Sequence, residues 1–184
     1  MSKLNNLLLR IFFYLLFVVF FSASQLAVGK VLPYPFNNFD FLIIILVFVL
    51  FIFSKRLALL LALGLGLIMD FYYFPSIGIN LTTFFITLLL TDFLLVNFFT
   101  DKSLYSLLAL MSSAYLTFYS VFYFFNYLVT LFTKSELPVV FNRYFFVSKV
   151  YGWLISLLIV AIVFYIFNYI SKRYQPFFLT KKIR

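Results

Sequence analysis

The chain has 184 residues, 66% of them hydrophobic and only 10% charged, and a mean hydropathy of +1.14. A water-soluble domain carries about 25% charged residues, so this composition excludes a soluble globular protein and predicts an integral membrane protein. With no His and no Cys, imidazole and thiolate metal sites, disulfides and any catalytic triad needing either residue are also excluded.

Six apolar runs follow in chain order, at about 7–28, 35–53, 57–74, 79–99, 103–132 and 148–170. Each is close to the ~20 residues that a helix needs to cross the hydrocarbon. They predict one all-α domain over residues 1–184, a bundle of six transmembrane helices. The first run has features of a signal peptide: Lys3 and Arg10 precede an apolar stretch, and Ser22-Ala23-Ser24 offers small residues for cleavage. Its apolar character continues to Val28, however, which predicts a retained helix closed by Gly29, Lys30 and Pro33. The second run is aliphatic and featureless, and Ser54-Lys55-Arg56 ends it.

The third run carries the most information. Read as a helix, it places Ala58, Ala62, Gly66 and Asp70 four residues apart, on one slowly rotating face. Small residues let helices approach closely inside a bilayer, so this seam predicts an interior packing surface. Pro75 and Gly78 then break the helix. A carboxylate at membrane depth is costly. Asp70 therefore meets either the amides of the following turn or a functional contact, at a partner interface or on a solute path.

The fourth run carries Thr83, Thr87 and Thr91 and then Asp92, and the fifth carries Ser106, Ala109, Ser113, Thr117 and Ser120. Both stripes read as close-packed interior faces, although a polar stripe can equally line a ligand cavity. Asp92 is expected to form an internal ion pair with Arg10. Asn80, Asn97, Asn126 and Asn168 are expected to bond between helices. The segment 133–147 is too apolar for a plain solvated loop, which places it in the membrane interface or against a partner. Gly152 and Ser156 give the sixth run a small-residue face of its own.

Ten of the basic residues fall on the side of the termini: Lys3, Arg10, Lys55, Arg56, Lys102, Lys172, Arg173, Lys181, Lys182 and Arg184. Lys30, Lys134, Arg143 and Lys149 fall on the other. The positive-inside rule then makes both termini cytoplasmic. The net charge of +9 is accounted for by topology and contact with anionic lipid headgroups, with no nucleic-acid partner. Asp70 and Asp92 lie at different depths, which argues against a shared acid–base site. Neither G-x-x-x-x-G-K-[ST] nor G-x-G-x-x-G occurs. No enzyme activity, cofactor or metal is expected.

Gly66-Leu67-Ile68-Met69-Asp70, followed by Ile77-Gly78, resembles the hallmark of the bacterial rod shape-determining MreD family. Gln25 near the end of the first run and Pro35 at the start of the second support the resemblance. Phe74 stands where that family typically has a small residue in the turn. The resemblance implies a fold like that of the S components of energy-coupling-factor transporters. It also implies a non-enzymatic subunit of the elongasome in the bacterial inner membrane, supporting cell shape and lateral peptidoglycan synthesis. Its implied partners are an MreC-like protein and, through it, the MreB filament, RodA and the elongation transpeptidase. The alternative is a vitamin-binding S component, for which Ala23 and Ala27 offer only a faint docking face.

Overall fold

The computed structural model describes residues 2–34, 36–72, 78–99, 103–133 and 143–173; within these, the side chains of 2–8, 10, 11, 133, 143–145 and 170–173 are not described. The α-helices among the described residues are α1 (Ser2–Val31), α2 (Phe41–Ile52), α3 (Lys55–Tyr72), α4 (Ile79–Asn97), α5 (Leu104–Thr133) and α6 (Arg143–Arg173). Among the described residues, four stretches are long and apolar enough to cross a membrane: Phe12–Val31, Ile79–Asn97, Leu104–Phe132 and Phe146–Tyr169. The protein is therefore an all-helical, multi-pass membrane protein.

Two helices fall outside those four for different reasons. α3 has 18 residues and carries Lys55, Arg56 and Asp70, three charges in a length of about 27 Å. α2 has only 12 residues, about 18 Å against the ~30 Å of a hydrocarbon core. The expected second span, 35–53, is thus divided. A 3₁₀ turn occupies Phe36–Asn38, and the helix begins only after Asp40. Two prolines crowd this junction, and the residue before a proline is pushed out of the helical region.

The short helix is also the most enclosed. Leu42, Ile43, Ile44, Leu46, Val47, Leu50 and Phe51 are all buried, and α2 touches every other helix. α3 packs most closely on α4, and α4 on α5. At the periphery, α1 exposes Phe12, Phe13, Leu16 and Phe20, and α6 exposes Leu154, Leu158, Ile162 and Ile166. These faces suit lipid. Between helices in lipid the hydrophobic term is weak, so close approach and hydrogen bonds hold the bundle together.

α6 begins at Arg143, five residues before the expected 148, so the connection from α5 is shorter than the expected loop. The rest of that loop, like the turn at residues 73–77, lies outside the described residues.

Candidate functional site

The small-residue seam of α3 is buried along its length. Ala58 and Ala62 are fully covered, Gly66 is buried, and Asp70 is 4% exposed. A Cβ built on Gly66 would lie 2.5 Å from Leu81 Cα, so only glycine lets α3 reach the backbone of the first turn of α4. One helical turn further on, the Asp70 carboxylate accepts hydrogen bonds from the Asn80 N–H at 2.8 Å and the Leu81 N–H at 3.1 Å.

Those amides are the second and third of α4, the two that a capping side chain normally satisfies. The residue in the capping position is Gly78, which has no side chain to offer and adopts φ 92°, a left-handed conformation natural to glycine. Asp70 thus caps α4 from the neighbouring helix. Its negative charge also faces the positive end of the α4 dipole, which compensates for burying a carboxylate. The backbone amides just beyond the turn are thus a contact that Asp70 makes.

Gly64 serves a second approach. A Cβ there would strike the Tyr14 hydroxyl and Val18 of α1, and Tyr14 donates to the Leu60 carbonyl nearby. The two glycines of Gly64-Leu65-Gly66 therefore face different partners, α1 and α4.

At the opposite end of the bundle, Asp92 accepts from Lys55 Nζ at 2.5 Å. Its described partner is thus Lys55 at the start of α3, where the sequence suggested Arg10, whose side chain lies outside the described residues. The reason is proximity: α3 and α4 form the closest helix pair, and Lys55 and Asp92 sit at the same end of it. The Lys55 side chain is 53% exposed, so the pair contributes at most about 1 kcal/mol.

A third polar cluster gathers residues that sequence reasoning left apart. Gln25 Oε1 accepts from the Phe41 N–H at 2.7 Å, and Gln25 Nε2 donates to the Phe39 carbonyl at 3.4 Å. Asp40 makes no side-chain cap of its own helix. It accepts instead from the Tyr119 hydroxyl on α5, and Lys149 of α6 donates to the same hydroxyl at 3.0 Å. A signal was present: Asp40 just before α2 and Lys149 in the second turn of α6 lie toward one end of the bundle, and Tyr115, Tyr119 and Tyr123 repeat every four residues.

The hydroxyl stripes differ from each other. On α4, Thr83, Thr87 and Thr91 are buried. Thr83 and Thr91 bond to carbonyls one turn back. On α5 the core face is Leu107, Leu110, Met111, Ala114 and Phe118, and of the expected stripe only Ser106 is buried with it. Ser113 and Thr117 lie at its half-buried border, bonded to their own helix, and Ser120 is exposed. Serine and threonine satisfy themselves this way at no cost in close packing, so their period does not mark the interior. Asn97 and Asn126 likewise bond within their own helices, Asn168 is exposed, and the buried Asn80 amide nitrogen has no partner.

A cavity between α2, α4 and α5, lined by Thr87, Thr91, Ile43, Leu46 and Ala114 among others, measures about 10 Å³. That is close to the space for one water, against roughly 300–1,000 Å³ for a small-molecule site. Among the described residues, no cluster of three or more acids could hold a metal ion. No protein-family model, no curated protein and no solved structure matches this chain.

Proposed function

We propose that this protein is an MreD-like, non-enzymatic subunit of the bacterial elongasome. In this reading it sits in the inner membrane with six crossings and both termini cytoplasmic, and it supports cell shape by binding an MreC-like partner. The observation that carries the reading is the use made of the G-x-x-x-D spacing. Gly66 brings α3 onto the backbone of α4, and Asp70 caps α4 across the turn. A motif spent on fixing the relative position of two helices suits a scaffold that presents a rigid surface, and it commits the motif's own carboxylate to that contact. The ten-to-four distribution of basic residues supports the orientation. The cavity at the Thr87–Thr91 stripe is water-sized, so that stripe is not where a vitamin would sit.

Depletion in living rod-shaped cells tests the reading directly. Rounding is expected, with rescue by the wild-type chain and not by Gly66→Leu or Asp70→Ala, and with loss of a copurifying MreC-like protein in both variants. Normal rods after depletion, or a vitamin copurifying with the wild-type chain, would overturn the proposal. Because the chain has no Cys, single cysteines introduced into the α2–α3 and α3–α4 connections report the orientation by labelling from either side.

A further inference from the structure

α6 is the helix least bound to the bundle after α1. Its contact face is Lys149, Gly152, Ser156 and Val160, and from Ile162 to Tyr169 nearly every residue is exposed. Three features anchor its first half. Gly152 abuts the Asn38 carbonyl so closely that a Cβ would collide with it. The Tyr115 hydroxyl donates to the Lys149 carbonyl at 2.9 Å, which fixes the α6 backbone at that residue. The Lys149 ammonium itself lies 4.2 Å from the centre of the Tyr119 ring.

The chemistry around that ammonium is that of a receptor. Lys149 donates to the Tyr119 hydroxyl at 3.0 Å, and that hydroxyl donates in turn to Asp40. One tyrosine therefore offers the cation both a π face and an oxygen made a better acceptor by its bond to a carboxylate. Tyr115 and Tyr123 pack on either side of Tyr119, at 4.7 Å and 5.9 Å between ring centres. Gln25 caps α2 in Asp40's place, which leaves the carboxylate available. A part-buried ion without a partner is costly, so carboxylate and ammonium depend on each other through the ring between them.

We propose that Asp40 and the Tyr115–Tyr119–Tyr123 face form a binding site for a primary alkylammonium, filled in the resting protein by Lys149, and that this occupancy seats α6 on α2 and α5. The inference does not depend on the elongasome reading.

Chemical rescue tests it. Spin labels at Phe124→Cys on α5 and Leu154→Cys on α6, both exposed positions in a chain without native cysteine, report the seating of α6. The protein is held in phosphatidylcholine–phosphatidylglycerol nanodiscs, whose lipids carry no primary amine. The full chain should give one narrow distance distribution, and Lys149→Ala a second, longer component. Added n-propylammonium should remove that component saturably, and n-propanol should not. Placing Asp40→Asn behind Lys149→Ala should weaken the amine rescue roughly tenfold or more. An unchanged distribution in Lys149→Ala, equal rescue by propanol, or rescue indifferent to Asp40→Asn would each overturn the proposal. Should Lys149→Ala fail to fold, Lys149→Met keeps the apolar stem without the charge; α6 seated as in wild type in that variant would overturn it equally.

Discussion

The α1–α2 and α3–α4 connections close the same end of the bundle, and each must satisfy a helix N-terminus that its own capping residue leaves open. Gly78 has no side chain, and Asp40 turns its carboxylate away to Tyr119. In both cases the preceding helix supplies the cap. Gln25 of α1 gives α2 one neutral, part-buried acceptor. Asp70 of α3 gives α4 a buried carboxylate with two amide donors. Bonds to a charged group are about twice as strong as neutral ones, and a buried amide left without a partner costs about 1–3 kcal/mol. The α3–α4 closure is therefore the stiffer of the two. Gly66 reinforces it by bringing the helices to backbone contact, whereas Gln25 reaches a segment that contains a 3₁₀ turn.

The difference between the closures is broken most severely at Gly66. Gly66→Leu places a branched side chain where even a Cβ meets the Leu81 Cα at 2.5 Å. Backbone cannot step aside as a flexible side chain does, so α3 and α4 must separate, at a cost of about 3 kcal/mol or more. Thermal unfolding in detergent should show the largest drop of the series. A variant as stable as wild type would mean that the two helices do not approach as described.

Asp70→Ala comes next. It orphans the Asn80 and Leu81 amides beneath a covered site, for an expected loss of about 2–4 kcal/mol. Asp70→Asn keeps one acceptor without the charge and makes this closure resemble that of Gln25, with an expected loss of about 1–2 kcal/mol. Hydrogen exchange at Asn80 and Leu81 should accelerate in the same order. Equal exchange in both variants would show that the charge contributes nothing beyond the acceptor.

The contrast also marks what the sequence discloses. The seam from Ala58 to Asp70 was legible because small residues at a spacing of four in an apolar helix have few other uses, and a lone acid at its end must find donors. The location of those donors on α4 was not legible, since a turn containing Pro75 and Gly78 says only that the chain reverses. Gln25 stood out as a polar residue near a helix end, but nothing local tied it to Phe41, sixteen residues on. Asp92 was expected to reach for Arg10 because depth was the only coordinate at hand. Lateral neighbours are decided by which helices pack, and α3 brings Lys55 to it. The hydroxyl stripe on α5, buried only at Ser106, failed beyond it for a related reason: residues that satisfy themselves along their own helix carry little information about the face they occupy.

Gln25→Ala should have the smallest effect of the series. It removes one acceptor from the Phe41 N–H and a long bond to the Phe39 carbonyl, and hydrogen bonds between helices in membranes average about 0.6 kcal/mol. A loss of about 0.5–1 kcal/mol is expected, well below that of Asp70→Ala. The variant has a further consequence that separates local repair from simple loss. With Gln25 gone, the Asp40 carboxylate is the nearest group able to cap its own helix, and its turning back toward the α2 amides would draw it from Tyr119 and Lys149. Spin labels on α5 and α6 should then report a partial loosening of α6 although the substitution lies on α1. A Gln25→Ala protein that loses stability with α6 fully seated would show that the two polar networks are independent, and that Asp40 faces Tyr119 whether or not α2 is capped by its neighbour.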